Sequence, residues 1–143
     1  MTHARPRRIL VALVVGALAI AFALVVILRS TSPADAASTV NVKLSDFKVK
    51  ATPSSAAHGR VTFVVKNAAS MEHELVVIKT SHRANALPLK NGRASEAGSK
   101  GEVELGGGKS KRLTLNLSAG HYALICNIGQ HYKAGMRTDF TIR

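Results

Sequence analysis

Residues 120–143 read GHYALICNIGQHYKAGMRTDFTIR, and their pattern indicates how the chain folds. Tyr122 and Cys126 lie an even number of positions apart within an apolar run. Met136 lies an even number of positions before Phe140 and Ile142. Side chains of one parity lie on one face of a strand. The stretch therefore predicts two strands with inward faces. The loop that joins them carries Cys126, His131 and Met136.

The same period of two recurs further upstream, separated by glycine-containing turn signals. Residues 74–80 and 122–126 are more continuously apolar, which is typical of strands covered on both faces. Short strands at this spacing predict an antiparallel β-sandwich or barrel. Residues 81–100 lack periodicity and predict a long loop with room for one helical turn. The alternating apolar residues are Val40, Val42, Leu44, Phe47, Val49, Val61, Phe63, Val65, Leu113, Leu115 and Leu117.

An apolar run of 20 residues, 9–28, follows three arginines near the N-terminus. As a helix it would be about 30 Å long, the thickness of the hydrocarbon core of a bilayer. We expect an uncleaved membrane anchor. The alternative is a cleaved signal peptide with a site at Ala34-Asp35-Ala36, but the run is longer than such peptides use. Either way, the positive-inside rule predicts export of the remainder.

The sequence therefore divides into three parts. Residues 1–29 form the signal or anchor segment, and residues 30–38 form a small, polar linker. Residues 39–143 form a single exported domain. The domain is expected on the outer face of the cytoplasmic membrane, or in the periplasm or outside the cell if the segment is cleaved.

The cysteine count and the net charge exclude several kinds of site and partner. The 143 residues include a single cysteine, which excludes a disulfide-stapled scaffold, a four-thiolate zinc site and an iron–sulfur cluster. The net charge of the whole chain is +12. Residues 37–143 contain 16 Lys and Arg and 7 Asp and Glu, so their net charge is +9. Nucleic acid is a poor partner for an exported domain with so few aromatic residues. An acidic redox partner or anionic headgroups fit better, through long-range attraction.

The densest chemical signal is Cys126-x4-His131-x4-Met136. Its donors are a thiolate, an imidazole and a thioether on one loop. His73 begins an apolar strand that a sandwich could place beside this loop. Two imidazoles, a thiolate and a weak thioether suit copper that cycles between Cu(I) and Cu(II).

Two stretches, MEHELVVIKT at 71–80 and HYALICNIGQHYKAGM at 121–136, carry a family resemblance. They resemble the cupredoxin, or blue copper, family, and the match covers about residues 40–143. The resemblance implies an all-β Greek-key β-sandwich with one type 1 copper ion. His73, Cys126 and His131 would be equatorial ligands and Met136 the axial ligand.

One position departs from the family pattern. Many cupredoxins have asparagine directly after the first histidine ligand, where it ties the two ligand loops together. Here that residue is Glu74. The rigidity and potential of the site are therefore open at this point.

The main functional hypothesis is an exported one-electron carrier with no enzymatic activity. It would be monomeric, and its redox partner would present an acidic docking surface. Electrons would leave through the imidazole edge of His131. A small apolar patch around it would consist of Ile128, Gly129, Ala134 and Gly135. The alternative is a periplasmic copper buffer or delivery protein, and a third reading is a basic module for anionic partners.

Several neighbouring residues are assigned to other roles. His121 has the opposite parity to Cys126 and is expected at the surface. His58 and His82 lie in turn or loop sequence and are expected to be solvated. Tyr132 and Lys133 are expected to be exposed beside His131. Met71 is expected to pack near the site, with a smaller chance of acting as a donor.

Overall fold

The structure is a computed structural model that describes residues 37–143. The predicted anchor at residues 9–28 and most of the linker lie outside the described residues. Between residues 37 and 143 no helix is long and apolar enough to cross a membrane.

The first sheet has four strands in the order β2-β1-β4-β9. Their alternating residues bury one face and expose the other, as the sequence predicts. β1 runs parallel to β4, whereas β2 and β9 pair antiparallel at the two edges. The strands are β1 (Ser38–Ser45), β2 (Lys48–Thr52), β4 (Gly59–Asn67) and β9 (Ser110–Leu117).

The second sheet has five strands in the order β3-β11-β10-β5-β8. The central pair, β5 and β10, is antiparallel and lies far apart in sequence. The strands are β3 (Ser55–Ala56), β5 (His73–Lys79), β8 (Ser99–Leu105), β10 (Gly120–Ile125) and β11 (Arg137–Ile142).

The prediction of an all-β sandwich is confirmed, with one difference. The alternation predicts antiparallel strands, but β1–β4 and β3–β11 are parallel pairs. The chain leaves the first sheet after β2, adds β3 to the second sheet and then returns as β4. A parallel pair needs such a crossover, and local alternation carries no signal for it.

The interior between the sheets is one apolar cluster that includes Phe63, Tyr122, Phe140 and Met136. A second cluster covers the outer face of the second sheet, where Val76, Ile78 and Ile125 point away from the sandwich interior. The prediction that β5 and β10 are covered on both faces is therefore confirmed. Both clusters belong to one compact unit of the chain, residues 35–143.

Residues 80–98, which we call the cover segment, pack on the outer face of the second sheet. The sequence predicts this segment as a loop. Ala84, Leu87 and Ala94 of this segment belong to the second cluster. The segment also contains a small hairpin of β6 (Leu89–Lys90) and β7 (Arg93–Ala94). Asn91 and Gly92 form its turn with positive φ angles of 52° and 83°, as a two-residue hairpin requires. The loop prediction also missed β8, which begins at residue 99.

Phe47 corrects another expectation. The alternation with Val49 predicts a buried side chain, but Phe47 lies in the β1–β2 turn with φ 55° and is 48% exposed. The turn reverses the chain before the second strand begins at residue 48, so the parity of that strand does not extend to Phe47.

Candidate metal centre

Three donor side chains converge at one end of the sandwich. His73 and Cys126 are buried and His131 is partly exposed, and their ligand atoms all lie within 4.8 Å of one another. The Nδ1 atoms of His73 and His131 are 3.2 Å apart. Sγ of Cys126 lies 3.4 Å from Nδ1 of His131 and 3.8 Å from Nδ1 of His73. The three atoms thus form a compact triangle.

Strand pairing explains why His73 and Cys126 meet. β5 and β10 are antiparallel neighbours, with Ile125 opposite Val76. The start of β5 therefore lies at the end of β10, where Cys126 follows the strand. Residues 53 positions apart along the chain could not be placed together by local pattern, so this pairing is a result of the tertiary fold.

A single helical turn brings the third donor back to the other two. The loop after Cys126 ends in a four-residue helix, α1 (His131–Ala134). Gly135 follows with φ 121°, a conformation that favours glycine. The N–H of Met136 then bonds to the carbonyl of His131, and the N–H of Cys126 bonds to the carbonyl of Met136, both at 3.0 Å. The loop is closed on itself by these two bonds.

Met136 is the fourth predicted site residue. Its side chain is fully buried in the main core cluster together with Cys126. Its backbone bonds tie it to both loop donors. The structure therefore places Met136 at the donor triangle, and its assignment as an axial ligand stays a prediction.

Glu74 makes the tie between ligand loops that the sequence left open. Its backbone N–H donates to Sγ of Cys126 at 3.4 Å, and its carboxylate accepts from the N–H of Asn127 at 2.7 Å. The carboxylate is buried, with 5% of the residue exposed. The backbone of residue 74 thus holds the sulfur, and the glutamate side chain holds the residue that follows Cys126.

Asn127 extends this connection to the cover segment. Its side chain accepts from the N–H of Ala94 at 2.8 Å and donates to the carbonyl of Ala94 at 2.9 Å. It also donates to the carboxylate of Glu96 at 2.7 Å. The ligand loop is therefore held from β5 on one side and from the cover segment on the other. The sequence analysis gave Asn127 no role, because its partners lie more than 30 positions away.

Burial sets the protonation states of the site. Desolvation lowers the pKa of His73 and the neighbouring His131 lowers it further, whereas Asp46 raises it; the net shift favours the neutral imidazole, the form that binds a metal. Desolvation raises the pKa of Cys126, although N–H groups of Glu74 and Ile128 counteract this. Burial also raises the pKa of Glu74, against the bond from Asn127. A metal that binds Cys126 must therefore displace its proton.

The donor triangle has the size that one metal ion requires. Imidazole nitrogens lie about 2.0–2.1 Å and thiolate sulfurs about 2.3 Å from an ion such as zinc, so trigonal donors are about 3.5–3.8 Å apart. The observed separations are 3.2, 3.4 and 3.8 Å, so two are slightly shorter than this range and one lies at its upper end. Nε2 of His73 is buried without a hydrogen-bond partner in the described part of the chain, and Nδ1 faces the triangle. The residues present fit a bound ion.

The rim around His131 is apolar. The ring of Phe47 meets that of His131 edge-on, with centroids 6.0 Å apart. Gly129 and Ala134 are exposed beside it, and Ile128 and Gly135 are partly buried. The predicted patch lies at the rim, and Phe47 is an addition that the alternation had assigned to the core.

Tyr132 contradicts the sequence-based expectation. It was predicted to be exposed beside His131, yet it is only 3% exposed. Its hydroxyl donates to the carbonyl of Ala84 at 2.8 Å and accepts from the N–H of Leu87 at 3.1 Å. The reason is the cover segment, which packs over the ring and supplies both partners. Lys133 is exposed, as predicted.

The other histidines of the described chain do not join the triangle. His82 is exposed, and His58 bonds to the carbonyl of Arg143. His121 is partly exposed and bridges Asp139 and the carbonyl of Thr80, both at 2.9 Å. Met71 is 44% exposed, and its packing near the site stays a prediction.

Comparison with known proteins supports the fold. No protein-family model and no curated protein matches this sequence. Among solved structures, the auracyanin of Roseiflexus castenholzii has a TM-score of 0.60 and 21% identity, over 76% of this chain and 98% of that chain. Rusticyanin from Thiobacillus ferrooxidans has a TM-score of 0.53 and 16% identity, over 76% and 79%.

A third match is a multi-copper oxidase from Pediococcus acidilactici, with a TM-score of 0.51 and 15% identity. The match covers 80% of this chain but only 28% of the oxidase, so the similarity is limited to a part of the oxidase about the size of one domain. Auracyanin and rusticyanin are cupredoxins. The resemblance found in the sequence is thus confirmed at the level of the fold: the described part of the chain has the cupredoxin fold.

Proposed function

We propose that this chain is an exported type 1 copper protein that carries single electrons. The observation that carries the proposal is the triangle of two Nδ1 atoms and one Sγ at the end of a cupredoxin fold. His73, Cys126 and His131 would hold the ion, with Met136 beside them. A copper ion in this donor set supplies a one-electron Cu(I)/Cu(II) couple.

The chain's own contribution is rigidity. Glu74 and Asn127 fix Cys126 from two sides, and the bonds of Met136 close the loop. Donors held by a β framework cannot move far when the charge of a bound ion changes. Such a site keeps the reorganisation cost of electron transfer low, which an electron carrier needs and a storage protein does not.

His131 is the donor through which an electron would pass to a partner. It is the one member of the triangle with exposed surface. The apolar rim of Phe47, Gly129 and Ala134 around it suits brief contacts that bury little area. The net charge of +9 beyond residue 36 favours an acidic partner, with attraction that salt weakens.

We further propose that the domain works on the outer face of the cytoplasmic membrane, held by residues 9–28. The support is the length of the apolar run and the three arginines before it. If the run is cleaved, the same domain would act free in the periplasm or outside the cell. A monomer and a non-enzymatic role remain part of the proposal.

The test is to add Cu(II) to the purified protein. We expect an intense visible band from thiolate-to-copper charge transfer that can be reduced and restored reversibly. Cys126→Ser and His131→Ala should abolish this band. His82→Ala is the matched control, because His82 is exposed and apart from the triangle, and it should keep the band.

Other outcomes separate the alternatives. A colourless protein that holds only Cu(I) would support the copper buffer or delivery role instead of electron transport. A preference for Zn(II) over both copper states would overturn both roles.

Met136→Leu tests the fourth residue. The band should persist, and the reduction potential should rise, because a weak axial thioether stabilises Cu(II). Met71→Leu is the control, since Met71 is half exposed, and its potential should equal that of the unchanged protein. Voltammetry of both variants makes the comparison, and equal potentials in all three proteins would show that Met136 is not a ligand.

A further inference from the structure

The outward face of the first sheet carries positive charge without compensation. Its four strands contain seven Lys and Arg and no Asp or Glu. Alternation directs six of these cations away from the core. The six are Lys43, Lys48, Lys50, Arg60, Lys66 and Arg112, and all are exposed.

The strand register brings some of these cations side by side. Lys43 of β1 lies opposite Lys50 of β2 on one side and opposite Lys66 of β4 on the other. Neighbouring strands are about 4.8 Å apart, and like charges directly opposite one another are unfavourable. A row of three lysines across three strands is therefore a place where bound anions relieve repulsion.

Two shallow depressions lie on this face. One, of about 320 Å³, is lined by Lys43, Lys50 and Lys66 together with Asn41 and Thr52. The neighbouring one, of about 520 Å³, shares Val64 with the first. Its other lining residues are Ser110, Lys111 and Arg112. Ammonium and guanidinium groups beside hydroxyl and amide donors suit phosphate oxygens.

Most acidic residues of the described chain lie elsewhere, and Asp46 in the β1–β2 turn is the one acidic residue beside a strand of the first sheet. Glu102 and Glu104 are on β8 and Asp139 is on β11, both in the second sheet. Glu74 and Glu96 belong to the metal centre and the cover segment. The domain therefore has a basic side and a side that holds most of its carboxylates, which gives it a preferred orientation in an electric field.

We propose that this basic face lies on the anionic phospholipid headgroups of a membrane. The face is broad and polar, whereas the apolar rim at His131 suits a protein partner. The chain enters β1 of this same sheet at residue 38, and the apolar run ends at residue 28. Ten residues span at most about 36 Å, so an anchored domain stays near the surface.

The arrangement has a consequence for the metal centre. His131 lies beside Phe47 in the β1–β2 turn, at the end of the sandwich and off the outward face of the first sheet. A domain resting on its basic face leaves this end free for a partner. The inference concerns a second surface, and it does not depend on which metal the site binds.

The test uses residues 35–143, which form one compact unit with both apolar clusters, so that an anchor plays no part. Sedimentation with vesicles of phosphatidylglycerol and phosphatidylcholine in equal amounts should carry the domain down, whereas pure phosphatidylcholine should not. Raising salt from about 0.05 M to about 0.5 M should release it, because screening shortens the reach of the charges.

A pair of triple variants locates the surface. Lys43→Gln/Lys50→Gln/Lys66→Gln should lower binding to the anionic vesicles by at least about tenfold. Lys90→Gln/Lys100→Gln/Lys133→Gln removes the same charge from exposed positions elsewhere and should lower it by less than about threefold. Both should keep the melting temperature of the parent domain.

Three outcomes would overturn the proposal. The first is that the domain does not bind anionic vesicles, and the second is that both triple variants lose vesicle binding equally. The third is that the Lys43/Lys50/Lys66 variant binds vesicles as the parent does but docks more weakly to an acidic protein. The last outcome would assign the face to a protein partner. The copper band of both variants should match that of the parent, so a failure here is distinct from a failure of the proposed copper function.

Discussion

The two sheets of this sandwich use their outer faces differently. The first sheet buries one face and exposes a polar, basic one. The second buries both faces of β5 and β10, because residues 80–98 cover it. Two of the three donors belong to the ends of this doubly covered sheet: His73 begins β5 and Cys126 follows β10. A buried site needs second-sphere contacts from two sides, and only the covered sheet provides them.

The largest expected difference between the sheets is in packing. Ile125→Ala removes a fully buried side chain from beneath the cover and should lower the free energy of unfolding by about 2–5 kcal/mol. Val64→Ala on the outward face of the first sheet should lower it by less than about 1 kcal/mol, because Val64 is only partly buried. Urea unfolding of the two variants measures this. Equal losses would show that the cover contributes little.

The next largest effect on stability concerns the hydrogen bond between the Glu74 carboxylate and the N–H of Asn127 in the ligand loop. Glu74→Ala leaves the N–H of Asn127 without its partner and should cost about 1–3 kcal/mol. Glu74→Gln keeps an acceptor oxygen and should cost less. Glu104→Ala, at an exposed position opposite Glu74 on β8, is the control.

If the tie also orders the donors, Glu74→Ala should broaden or shift the copper band, and Glu104→Ala should leave it unchanged. An identical band in both variants would limit Glu74 to a role in stability.

The smallest expected effect compares two tyrosine hydroxyls, one bonded to the cover segment and one bonded within the sandwich. Tyr132→Phe removes a hydroxyl that serves both Ala84 and Leu87, and it should cost about 1–2 kcal/mol. Tyr122→Phe removes a single bond to the carbonyl of Ser118 and should cost about half as much. Thermal unfolding compares the two. A larger loss in Tyr122→Phe would argue that the cover is loosely held.

Sequence reasoning succeeded where a local pattern carried the information. Period-two alternation in β1, β4 and β9 predicts their buried faces, and the continuous apolar runs of β5 and β10 predict their double burial. It failed at Phe47, because a turn interrupts the parity of a strand. It also failed at Tyr132, because the partners that bury the ring lie about 45 positions earlier.

By itself, the sequence determined the all-β class and the set of candidate donors, because side-chain parity and donor chemistry are local properties. Only the tertiary structure decided that Glu74 holds the ligand loop and that residues 80–98 cover the second sheet. It also decided that the lysines of three strands form one basic row. These features depend on pairings between distant residues, which strand register and packing create and which no local pattern records.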